Sequence, residues 1–244
     1  MTALIRAEIL KLTSVRTPRW TVVAQVALLV MAASGAVASG AIDATGLATP
    51  DGLRRLLAHG GVVAILSLAV GVTLSAGEFR HGTAVDTFLT EPRRERVVAA
   101  QLAAAGAVGL VVGVVVAAAT VATGWAWCLA KDVDLDGSVA WRSAVGIVLW
   151  QALYTVIGVA LGSLVRAQTA AIVVAVAWLF VAETAVSQLA GSVGRWLPAT
   201  AASALGNSPG DSLLPQVGGG VVLAGWTAAA GLAAAALTRR RDPA

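Results

Sequence analysis

Val111-Val112-Gly113-Val114-Val115-Val116-Ala117-Ala118-Ala119 decides the fold class. Every position in this run is apolar or small. A membrane β-strand alternates apolar and polar residues with period two, and this run does not. Only helices and closed barrels satisfy all backbone polar groups in lipid. The run therefore reads as part of a membrane-spanning helix, although valine is only a middling helix former in water. A hydrocarbon core about 30 Å thick needs roughly 20 such residues. Outward from residue 111, charge-free sequence continues over 97–129.

The same criterion applied along the chain predicts six spans, at about 20–42, 57–77, 97–129, 143–165, 167–190 and 216–238. Composition agrees: 58% of residues are hydrophobic and 12% charged, against about 45–50% and 25% in a soluble domain. Mean hydropathy is +0.83. These values exclude a disordered chain, a collagen and an ordinary soluble enzyme. Cys128 is the single cysteine, so no intramolecular disulfide or multi-cysteine metal site can form. The predicted fold is all-α, one transmembrane domain over 1–244. Gly109-x-x-x-Gly113 and Gly158-x-x-x-Gly162 have the small-residue spacing that lets helices approach closely, a spacing also expected by chance among 26 glycines.

Basic residues mark orientation. With six spans both termini share one side, which holds 12 of the 17 Lys and Arg. Both termini are therefore predicted to be cytoplasmic. The acidic run Asp132, Asp134 and Asp136 then faces outward, with Trp125, Trp127 and Trp141 forming an interfacial belt. The net charge of +4 is a topology signal. No basic patch carries interleaved aromatics, which argues against a nucleic-acid partner. Ala36-Val37-Ala38 imitates a signal-peptide cleavage site, but 19 residues precede the apolar run and the run is long enough to span. Span one reads as retained.

Leu4, Ile5, Ile9, Leu10 and Leu12 fall mostly at helical spacing, so 2–19 is predicted to be an amphipathic helix in the inner interface, ended by Pro18. The cytoplasmic loop 78–96 mixes both charge signs with two aromatics. Thr83 is a candidate N-cap and Pro92 a stop for a short helix presenting Phe88 and Leu89. Spacing alone leaves two readings: a docking element for a soluble protein, or a solvated linker.

Glu78-Phe79-Arg80-His81-Gly82-Thr83, then Thr87-Phe88-Leu89-Thr90 and Pro92-Arg93-Arg94, resembles the cytoplasmic loop of ABC-2 type permeases, the membrane subunits of bacterial ATP-binding cassette exporters. Arg6-Ala7-Glu8-Ile9-Leu10-Lys11-Leu12 resembles the start of many members. The resemblance implies a multi-pass permease in the bacterial plasma membrane. It implies a coupling segment built from Glu78, Phe79, Arg80, His81, Gly82, Thr83, Asp86, Thr87, Phe88, Leu89, Glu91, Pro92, Arg93 and Arg94. It further implies separate ATPase subunits that bind ATP and Mg, a second permease subunit, and an outer, re-entrant segment within 191–215.

The chain has no Gly-x-x-x-x-Gly-Lys-Ser/Thr phosphate loop and cannot hydrolyse ATP by that mechanism. No catalytic, cofactor or metal site is predicted. His59 and His81 fall on opposite sides of the predicted membrane. Gly206-Asn207-Ser208-Pro209-Gly210 matches a nucleophile-elbow pattern but lacks the strand-to-helix context. Glu183 is the one formal charge inside a span, where a carboxylate costs about 2.5–3.5 kcal/mol at the helix centre. Three roles are open to it: a substrate-path contact, a proton relay, or a structural hydrogen bond to Gln188, Thr184 or Gln151. Trp150 and Trp178, near mid-span, either line a substrate path or pack. The expected substrate is a lipid-like molecule, a drug or a peptide. Two rival classes are a proton-coupled secondary transporter working through Glu183 and a non-transporting scaffold or immunity protein.

Overall fold

The computed structural model describes residues 2–14, 17–80 and 93–240. Among these residues the chain is predominantly helical, with no strand. The helices are α1 (Thr2–Ser14), α2 (Thr17–Ala38), α3 (Ala44–Leu47), α4 (Pro50–Val62), α5 (Ala64–Arg80), α6 (Arg94–Ala130) and α7 (Gly137–Val165). They continue with α8 (Gln168–Ala177), a π-helical turn (Trp178–Ala182), α9 (Glu183–Leu189), α10 (Gly191–Gly194), α11 (Pro198–Leu205) and α12 (Gln216–Arg240). Six segments are long and apolar enough to cross a membrane: Pro18–Ala38, Pro50–Arg80, Arg94–Ala130, Gly137–Val165, Gln168–Leu189 and Gln216–Arg239.

Local chemistry sets the helix starts. Thr49 caps α4 by accepting the Gly52 N–H at 3.1 Å, with Pro50 in the first turn. Asp136 caps α7 through Ser138 N–H at 2.9 Å and Val139 N–H at 3.2 Å. Pro18 does not end an N-terminal helix; it sits in the first turn of α2, where its missing N–H costs nothing.

The second span begins at Pro50 rather than at 57. Arg54 and Arg55 interrupt the charge-free sequence before 57, but Leu53, Leu56 and Leu57 of α4 are buried. The span then breaks at Val63, between α4 and α5. At 1.5 Å per residue the 37-residue α6 is roughly 55 Å long, so it outruns a hydrocarbon core.

Helix α7 is the hub, packing against α4, α5, α6, α8, α11 and α12. Glycines make its closest contacts. A Cβ on Gly109 would stand 2.7 Å from Ala152 Cα, and one on Gly113 would stand 2.8 Å from Val148 Cα. A Cβ on Gly158 would overlap the Leu68 carbonyl, and one on Gly162 would lie 2.8 Å from the Val72 carbonyl. Both small-residue motifs therefore sit at tight helix crossings, α6–α7 and α5–α7.

Candidate functional site

Polar chemistry gathers at several places, among them the end of the bundle bearing both termini, the interior between α2, α5 and α7, and the side formed by α8, α9 and α11.

At the terminus-bearing end, charged residues from four helices interlock. Lys11 Nζ on α1 contacts Glu8 at 2.8 Å and Glu78 at 3.1 Å on α5. The other Glu78 oxygen accepts from Gln101 Nε2 on α6 at 2.8 Å. Arg166, after α7, places its guanidinium 4.9 Å from the Phe79 ring centroid, within cation–π range. Arg239 on α12 pairs with Glu95 on α6. Glu8 is buried, and burial pushes its carboxyl above the ordinary range; its bond to Lys11 pulls the other way without prevailing.

This collar holds both roots of the 78–96 loop. Glu78 and Phe79 end α5, Arg80 is its exposed last residue, Arg93 precedes α6 and Arg94 opens it. His81, Gly82, Thr83, Asp86, Thr87, Phe88, Leu89, Glu91 and Pro92 lie outside the described residues. Helix α1 covers Thr2–Ser14, shorter than the expected 2–19, and packs on α6. Its apolar stripe is less regular than the spacing implies: Leu4, Ile5 and Ile9 are half-buried, Leu10 is exposed, and Glu8 is the most buried of its described side chains.

In the interior, Gln25 Nε2 donates to Ser67 Oγ at 3.1 Å, and Ser67 Oγ donates to Gln151 Oε1 at 2.5 Å. Gln151 Nε2 makes a long 3.5 Å contact to the Gly60 carbonyl, one turn before the break at Val63. All three side chains are buried. Span two breaks beside this chain of amides and hydroxyls, and Gln151 supplies a donor to one of its carbonyls.

Glu183 is 3% exposed. Its Oε2 accepts the Ala199 N–H at 2.8 Å, in the first turn of α11. That turn has Leu197 as its N-cap residue, which offers no side-chain acceptor, and Pro198. Glu183 therefore serves as a remote N-terminal cap, where both the open N–H group and the helix dipole favour an anion. Oε1 makes no hydrogen bond among the described residues. The partners expected from sequence are not used: Gln151 belongs to the interior chain, Thr184 bonds the Phe180 carbonyl, and Gln188 is exposed. The π-turn immediately before Glu183 is a device often found at functional positions.

Trp150 is buried and flanked by Gly61 and Gly206, which leave its ring room. It meets Tyr154 edge-on with centroids 5.8 Å apart. Trp178 is 45% exposed and lies 6.5 Å from Trp226, whose Nε1 bonds the Trp196 carbonyl. The two tryptophans paired in the sequence reading thus occupy different settings, one a core residue and one on the outer surface of the bundle.

Lys11, Gln101, Arg166 and Arg239 hold the loop roots, yet nothing local in their sequence marks them for that role. The Gly206–Gly210 pattern follows a helix, and Asn207 takes φ +60° there. Among the described residues no group of three or more His, Cys, Asp or Glu side chains could hold a metal. No protein-family model matches the chain, and comparison with curated proteins finds no significant match.

Proposed function

We propose that this chain is the permease subunit of an ATP-binding cassette exporter of the ABC-2 type. It would lie in a bacterial plasma membrane with both termini cytoplasmic, energised by a separate ATPase that docks on the 78–96 loop. The observation that carries the reading is the collar. Ion pairs from α1 and α12 and a bond from α6 fix both roots of that loop to the same end of the bundle. A force applied to a loop so anchored is transmitted to α5 and α6, and α5 packs on the hub helix α7.

The motif residues at the loop roots and the absence of a phosphate loop in the sequence support a borrowed engine. A second permease subunit, identical or related, would complete the translocation path, with a lipid-like, drug or peptide substrate. ATP and Mg would be bound by the ATPase partner. The proton-coupled alternative is disfavoured by the cap role of Glu183 and by its being the one formal charge within a predicted span; proton-driven carriers commonly hold several.

The test is purification of the full chain after co-expression with any phosphate-loop ATPase encoded beside it. Co-elution of a phosphate-loop ATPase whose hydrolysis rises on binding this chain supports the reading. Loss of that stimulation in an Arg93→Glu, Arg94→Glu variant places the contact on the loop. A chain that binds no ATPase, or leaves its rate unchanged, is a scaffold or a transporter of another kind.

A further inference from the structure

At the end of the bundle opposite the termini, a cavity of about 310 Å³ opens between the start of α4, the start of α7, the end of α11 and the segment leading into α12. Its size falls at the lower end for small-ligand sites, and two cations far apart in sequence converge on it. Arg54 reaches it from α4 and Arg142 from α7. This end holds only five of the 17 basic residues, so two of them on one cavity is a concentration against the general charge bias.

The arginines are positioned by their neighbours. Arg142 Nε donates to Gln216 Oε1 at 3.1 Å, while Gln216 Nε2 donates to the carbonyls of Arg142 at 2.7 Å and Leu205 at 2.9 Å. One edge of the Arg142 guanidinium is thereby fixed and its terminal nitrogens remain available. Arg54 gives one nitrogen to Asp51 at 3.0 Å, and its Nε is buried with no acceptor among the described residues. Trp141, next to Arg142, is 70% exposed, which sets this level at a lipid–water interface.

We infer that this cavity binds a phosphate group, with Arg54 and Arg142 as its two anchors. The planar guanidinium of Arg142, with a terminal nitrogen of Arg54 beside the same cavity, matches phosphate oxygens better than lysine ammoniums would. The phosphate can come from a phospholipid headgroup or from a soluble phosphate ester. Asp51 and Asp211, also on the lining, balance the two arginines in formal charge, which disfavours a ligand of high negative charge and suits a single phosphodiester or a headgroup carrying an ammonium. The inference does not rest on ATPase coupling and would hold for a scaffold protein equally.

The experiment uses the full chain in detergent micelles, with phosphatidylglycerol titrated by native mass spectrometry and its soluble headgroup diester, glycerophosphoglycerol, titrated in a parallel thermal-shift series. Arg54→Gln with Arg142→Gln should weaken binding by at least about tenfold, the scale of a lost charged fork. Arg55→Gln, exposed and off the cavity, should leave it unchanged. Response to phosphatidylglycerol alone identifies a lipid source, and response to both identifies the phosphate itself as sufficient. Should the double variant not fold, Arg142→Lys, which keeps charge and loses the fork, must still weaken binding. Equal binding by native and variant chains overturns the site, as does an Arg55→Gln effect as large as that of the double variant.

Discussion

Two buried polar sites in the bundle behave differently. The Gln25–Ser67–Gln151 chain is neutral and links three long helices side to side. Glu183 is acidic and links a span to the first turn of an eight-residue helix. The first site trades hydrogen bonds among groups that would find other partners in an unfolded membrane helix, so each is worth little. The second satisfies a backbone donor that has no substitute within α11. Cost follows from what is left unpaired, not from how many bonds are drawn.

That contrast can be broken by mutation. Glu183→Leu should be the most damaging, about 1–3 kcal/mol from the stranded Ala199 N–H, read as lost thermal stability and looser proteolytic protection of 190–215. Gln151→Leu should cost less, about 0.6 kcal/mol and at most about 1.7 kcal/mol, the mean and maximum measured for interhelical bonds in a membrane protein. Glu183→Gln keeps an acceptor and should cost under about 1 kcal/mol, with transport near normal if the carboxylate is structural. If Glu183→Gln abolishes transport while stability holds, the charge itself works in the mechanism. Equal stability losses for Gln151→Leu and Glu183→Leu would erase the distinction.

Glu8 adds a third, smaller case, at the water-facing collar. Its carboxyl is raised above its ordinary value, chiefly by burial. The folded state therefore binds its proton more readily than the unfolded state. Stability from this group is present below the ordinary carboxylate range and falls as pH rises through the raised value. Glu8→Gln should flatten that decline in a pH series of melting temperatures; an unchanged slope would assign the decline elsewhere.

Spans were legible in sequence because lipid imposes a length of apolar residues that needs no tertiary knowledge. The Thr49–Pro50 start and Asp136 cap carry local signals too. What was not legible depends on distant pairs. Ser67 and Gln151 are 84 positions apart, and Lys11 and Glu78 are 67 apart; no local pattern links them. Glu183 stood out as a charge in a span, but its partner is a backbone N–H created by the fold of 198–205. The break at Val63 has no Pro or Gly at the break itself, although Gly60 and Gly61 precede it by a turn. Arg54 and Arg142 lie 88 positions apart, and only the fold brings them to one cavity.

The most direct test of the account is sided labelling of a Phe88→Cys variant in a Cys128→Ser background, with a membrane-impermeant thiol reagent. The account predicts labelling in inside-out vesicles, none in intact cells, and protection when the ATPase is added. Labelling from the outer face, or cytosolic labelling that no ATPase diminishes, would contradict it.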